Sequence, residues 1–255
     1  MDTAPRNFRA FYLALALAIS TTAFVGFYFT YFSPMVAGVY PKISLAVHVH
    51  GWTFFLWYLL FPLQAALMAT GRRRLHFVLG GASIVLAAAM AFTGLLVASV
   101  RIDEGLTSVD GSPLDAFWKT FGLAVISGLI LFAVFYGAAI ANRGHPETHK
   151  RLMVMASASA LAAAVFRIFV AMFEFNWLAT PPWVMPAAIF LPNAFILAGV
   201  IYDLVVRRSI HPAYIVGLPI AVAVEGAGFV VATSPAGDPL AHLIASFSDL
   251  FGFLY

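Results

Sequence analysis

Seven almost uncharged runs, each of about 20 residues or more, leave this chain few folds to choose from. They lie near 10–32, 44–69, 77–100, 117–141, 151–175, 183–206 and 213–232. A helix rises about 1.5 Å per residue, so each run suffices to cross a hydrocarbon layer about 30 Å thick. A large soluble core is the alternative, but its helices would need polar faces, and most of these runs have none. Composition agrees, with 62% of residues hydrophobic and 10% charged, against about a quarter charged in soluble domains. The expected fold is all-α and integral to the membrane, a seven-transmembrane-helix bundle forming one membrane domain over 1–255. The first run is too long for the apolar core of a signal peptide and reads as the first span.

Charge at the breaks sets a direction. Arg6 and Arg9, Arg72 to Arg74, Arg143 with Lys150 and Arg151, and Arg207 with Arg208 all fall on one side of the bundle. The other side carries Asp103, Glu104, Asp110 and Asp115. Basic loops stay in the cytoplasm, so the N-terminus is expected there and the C-terminus outside. The net charge of +3 clusters beside apolar runs, which points to the lipid bilayer and not to nucleic acid. After the last run, Asp238 and Pro239 open a stretch with apolar residues at helical spacing. It is expected as an amphipathic helix over about 238–252 lying in the outer interface, where it either packs as an ordinary tail against the bundle or covers a site.

Ionisable residues inside a membrane are costly and are therefore functional candidates. Arg167 and Glu174 in the fifth run and Glu225 in the seventh qualify. At about 100° per residue, Arg167, Glu174 and His149 share one helix face. His48 and His50 open the second run, and Arg101 closes the third at the same outer level. One reading is a structural ion pair of Arg167 with Glu174 or Glu225. The other is an outer polar pocket of Arg101, Arg167 and Asn193, the last following a proline that would kink the sixth run. His48 and His50 with Glu174 or Glu225 would then offer a site for a transition metal. That requires an extended segment there, because in a helix residues i and i+2 point about 200° apart. Between the charges of the fifth run, "ASASALAAA" either packs helices closely or leaves room for a flat cofactor.

A second set, His76, His149 and His211, begins three helices at the basic end. Two histidines at one depth on different helices can hold a haem b axially. They can equally serve as interfacial anchors, with Asp203 orienting an imidazole or pairing with Arg207. Absent cysteine excludes disulfides and thiolate sites, and no phosphate loop, HExxH or serine-nucleophile pattern occurs. The last run holds no lysine, which excludes a retinal Schiff base there.

"HVHG" at 48–51, "RRRLHFVLGG" at 72–81 and "HKRLM" at 149–153 resemble the motifs of an uncharacterised family of bacterial multi-pass membrane proteins. The resemblance runs from the second span to the seventh and implies the inner (plasma) membrane, but no activity. Histidines at two levels are similar, more loosely, to the b-type transmembrane cytochromes. That likeness implies a redox or electron-transfer role with haem b or another metal, and a quinone or other small molecule as partner. The other expectations are a transporter or small-molecule binder using the outer pocket, or an accessory subunit of a larger membrane complex. The aromatic load of the second span (Trp52, Phe54, Phe55, Trp57 and Tyr58) suits contacts with membrane-protein partners.

Overall fold

A backbone in hydrocarbon must satisfy its N–H and C=O groups within its own segment, so the apolar runs fold as helices. The computed structural model describes residues 6–39, 45–107, 113–174 and 180–251. Among them are helices α1 (Arg6–Phe27), α2 (Ser33–Val36), α3 (Leu45–Ala69), α4 (Arg73–Thr107), α5 (Pro113–Ala141) and α6 (Pro146–Ser159). There follow α7 (Ala162–Ala171), α8 (Val184–Phe190), α9 (Asn193–Tyr202), α10 (Pro212–Ala232) and α11 (Gly237–Asp249). Wider π turns extend α1 over Tyr28–Phe32 and α9 over Asp203–Arg207. No strand occurs among the described residues. Among the described residues six helical stretches are long and apolar enough to cross a membrane, or seven if the bent pair α6–α7 is one span.

Helix limits fall close to those of most of the apolar runs and depart from them at two places. α4 runs well beyond 77–100 at both ends. The fifth run is not one straight rod, because α6 and α7 meet at 45°. No proline or glycine lies at this bend. Ser159 instead donates to the Met155 carbonyl one turn back, 2.9 Å away, which bends helices. Leu161 N–H turns to the Ala158 carbonyl, and the Tyr58 hydroxyl reaches in to donate to the released Ser157 carbonyl at 3.1 Å. In the sixth run Pro192 separates α8 from α9, as a proline lacking its N–H should.

α6 is the innermost column, touching α1, α5, α9 and α10. From Arg151 to Ser159 only Met153 escapes full burial. The small residues of 156–164 are there for close packing. A Cβ on Gly26 of α1 would stand 2.3 Å from the Ala164 carbonyl oxygen, and one on Gly128 of α5 would stand 2.4 Å from that of Ser159. Further along the stripe Ser159, Ala160, Ala162 and Ala163 line a cavity. Outward-facing aliphatic side chains such as Leu17, Leu59, Val85, Val134, Val216 and Val230 are exposed, as a lipid-facing surface requires.

The aromatic load of the second span points largely inward. Phe55, Trp57 and Tyr58 are buried, and only Trp52 among the five is half exposed. Trp57 packs edge-on against Phe132 and Tyr136 and donates to the Ser157 hydroxyl at 3.2 Å. Phe55, Trp57 and Tyr58 thus fill the bundle, while Trp52 faces outward. α11 packs on α4 and, less extensively, on α5. It buries Gly237, Ala241, Ala245 and Ser248. Lys119 holds its first turn through Asp238 at 2.7 Å, and Phe247 and Phe251 reach Phe92 near the middle of α4. The segment is thus an amphipathic helix docked on the bundle.

Candidate functional site

Two cavities occupy successive levels of the core formed by α3, α4, α5 and the α6–α7 pair. The larger, about 1010 Å³, lies at the basic end, and the smaller, about 440 Å³, at the opposite end. On α3, Trp57 lines the first and Phe54, one turn earlier, the second. Between the two sets of lining residues on α4 and α5 stand Met90 and Phe132, both fully buried.

The basic-end cavity brings together two of the three histidines expected there. His76 opens α4 and His149 the first turns of α6, and their ring centroids are 6.4 Å apart with planes at 89°. Both line the cavity. His149 Nδ1 lies 2.8 Å from the Ala139 carbonyl oxygen, so Nδ1 donates there and Nε2 is the nitrogen left for another partner. With its NH2 turned toward His76, the Gln64 amide donates to the His76 carbonyl at 3.2 Å and to His76 Nδ1 at 2.7 Å, while its oxygen accepts from Gly80 N–H at 2.9 Å. Deeper in, the Ser83 and Tyr136 hydroxyls share a hydrogen bond of 2.7 Å. Arg73, Arg143 and Lys150 also line this cavity.

His211 does not join them. It caps the start of α10, accepting from Ala213 N–H at 3.1 Å through Nδ1. Its own backbone N–H donates to Asp203 at 3.2 Å. Burial and the neighbouring Arg151 and Arg207 guanidiniums push its imidazole below the ordinary histidine range.

Besides accepting from the His211 backbone, Asp203 pairs with Arg151 and not with Arg207. It takes a two-pronged contact from the fully buried Arg151, Nε to Oδ2 at 2.9 Å and Nη2 to Oδ1. Arg151 Nη1 donates to the Glu147 carboxylate at 2.9 Å, which also holds Arg207 at 2.6 Å and Lys150 at 2.5 Å. Tyr12 and Tyr214 rings flank the Arg151 guanidinium, each 5.7 Å away. This network joins α1, α6, the end of the sixth span and α10. The signal for it lay in the sequence, since Asp203 is the only acid in the sixth run, but spacing does not say which arginine it meets.

At the opposite end the expected metal set is not assembled. No group of three or more His, Asp and Glu side chains placed to hold a metal ion exists among the described residues. α3 already includes both His48 and His50, so the two imidazoles diverge. His48 Nδ1 meets the Tyr31 hydroxyl at 2.9 Å, while His50 packs on Phe54 and lines the smaller cavity. Glu174 lies beyond the end of α7, exposed, with a left-handed backbone (φ 53°). Glu225 is buried on α10 and accepts from the Asn193 side chain at 2.5 Å.

The bend also breaks the single polar face drawn through His149, Arg167 and Glu174. Arg167 is anchored by Thr30 Oγ1 at 3.1 Å and the Ala163 carbonyl at 2.9 Å, with its guanidinium 4.5 Å over the Phe27 ring. Arg101 bridges to Glu104 at 2.6 Å and lies 5.4 Å over Trp118. Both arginines line the smaller cavity; Asn193 does not. Comparison of the chain with protein-family models, with curated proteins and with solved structures returns no match.

Proposed function

We propose that this is a multi-pass redox protein of the bacterial inner membrane whose basic-end cavity holds a haem b between His76 and His149. The observation that carries the reading is that pair: two imidazoles from different helices, 6.4 Å apart, on the wall of one cavity. A haem supplies one-electron chemistry, with iron held axially by histidine nitrogen. Further features support such a group, which requires the Gln64 amide to turn so that its oxygen accepts from His76 Nδ1–H and Nε2 is freed for iron. The cavity of about 1010 Å³ has mostly apolar walls from α3 to α6. His149 is oriented through Nδ1 by a backbone carbonyl, the outer support that ligating histidines commonly have. Arg73, Arg143 and Lys150 on the lining would pair with propionates. In this reading the basic end faces the cytoplasm, and a lipid-soluble quinone is the natural electron partner.

The test is the visible spectrum of protein purified in detergent, as isolated and after titration with hemin. The expected result is a reducible haem spectrum at one haem per chain that disappears in His149→Ala and in His76→Ala. A wild-type protein that is colourless and takes up no hemin beyond the detergent control overturns the reading.

A further inference from the structure

Glu225 lines neither cavity and is the only Asp, Glu, Lys, Arg or His residue of α10. At about 1.5 Å per residue it stands about 20 Å along that helix from Pro212, within a hydrocarbon layer about 30 Å thick. It is 3% exposed. Ala221, one turn before it, is fully buried, and a Cβ on Gly228, one turn after, would stand 2.7 Å from Ser127 Cβ of α5. The carboxyl therefore points into the bundle. Its partner there is neutral, since the Asn193 amide Nδ2 donates to Oε2 at 2.5 Å. Helices α5, α6, α8 and α9 pack on α10, and α8 and α9 carry no charged side chain. On α5, Lys119 pairs with Asp238. On α6, Lys150 pairs with Glu147, Arg151 with Asp203, and His149 faces the larger cavity. No ion pair among the described residues includes Glu225.

A carboxylate without a cation is disfavoured in so apolar a place, whereas a carboxylic acid needs only hydrogen bonds. An amide can serve both forms, because its NH2 donates to a carboxyl oxygen and its carbonyl accepts from an acid O–H. A cation in the amide's place would fix the charged form; asparagine leaves the proton free to come and go. Asn193 also opens α9 directly after Pro192, so this partner rides on the break in the sixth span. We infer that Glu225 is a proton-binding site inside the membrane, a neutral carboxylic acid paired with Asn193 whose proton exchanges with the medium. With Oε2 taken by the amide, Oε1 holds the proton. On release the Oε1–H bond breaks, its electron pair stays on oxygen, and the proton passes to water. Neither cavity and no bound haem takes part.

Infrared difference spectra at neutral pH, wild type minus Glu225→Gln, test this on protein in dodecyl maltoside, a detergent without a carbonyl. The expected result is a carboxylic-acid C=O band that the wild type shows and Glu225→Gln loses. Within minutes of transfer to D2O that band should shift down, because the acid proton exchanges. Asn193→Leu should keep the band and move it up, as befits a carbonyl freed of its hydrogen bond. That upward shift identifies Glu225 if Glu225→Gln fails to assemble. A folded Glu225→Gln protein that loses no acid band would show an ionised Glu225 and overturn the inference. A Glu225 band that withstands hours in D2O would mark a sealed structural acid and overturn it equally. So would a band that stays in place in Asn193→Leu, since the pairing would then be absent. Any haem propionate cancels in the difference, so these outcomes read the same whether or not the larger cavity holds a haem.

Discussion

Arg151 shows how differently one side chain reads in sequence and in space. It stands in "HKRLM", beside a lysine at a basic loop, where an interfacial cation is the ordinary expectation. The fold buries it completely and gives it Asp203 as a two-pronged partner, with Glu147 on its remaining side. A buried ion pair is weak evidence of net stabilisation, but removing one partner leaves an uncompensated charge, at a cost of about 3–5 kcal/mol. Asp203→Asn should therefore lower the thermal stability of the detergent-solubilised protein sharply. The double variant Arg151→Met with Asp203→Leu should recover most of the loss, because an apolar replacement of the whole pair is nearly neutral. Thermal unfolding followed by size exclusion measures both, and an Asp203→Asn protein as stable as wild type would contradict the assignment. His50 is a similar case. HxH suggested chelation, and the helix beginning before both residues sent one imidazole to Tyr31 and the other into a cavity.

Among the elements, the α6–α7 pair decides most of the architecture. Its bend takes Arg167 off the line of His149 and places the two in different cavities. Glycine on the neighbouring helices lets this column sit close. At Gly26 a methyl group would lie 2.3 Å from the Ala164 carbonyl oxygen, whereas at Gly137 of α5 it would meet nothing within 4 Å. Gly26→Ala should force α1 away from α7 and destabilise the protein by about 1–3 kcal/mol. Gly137→Ala should be neutral or slightly stabilising, since alanine is favoured over glycine inside a helix by up to about 1 kcal/mol. Parallel denaturation of the two variants is the measurement; equal stability would mean that α1 and α7 are not in backbone contact.

At the scale of the whole molecule, the helices segregate the charged loops into a basic and an acidic end, and each end has its own cavity. The proposed orientation puts the basic end in the cytoplasm. Because the chain has no cysteine, single cysteines report topology without background. Gly144→Cys sits in the loop between α5 and α6, where a side chain meets open space, and Thr107→Cys is exposed at the far end of α4. In intact cells a membrane-impermeant maleimide should label the Thr107→Cys variant and spare the Gly144→Cys variant. The reverse pattern would invert the orientation.

The sequence by itself determined the number and approximate limits of the apolar runs, the segregation of basic from acidic loops, and the two histidine levels. Those properties follow from composition over about 20 residues and from local charge, which no tertiary contact alters. Even the break at Pro192 was legible, because a missing N–H is a property of the residue. The pairing of Arg151 with Asp203, the meeting of His76 with His149, the separation of Glu225 from Arg167 and the bend at Ser159 were decided by the tertiary structure alone. Each depends on which helices are neighbours and how each is rotated about its axis. Runs that are apolar all round carry little periodic signal to fix that rotation, so packing at the small residues of α6 and the glycines facing it settles which polar side chains meet.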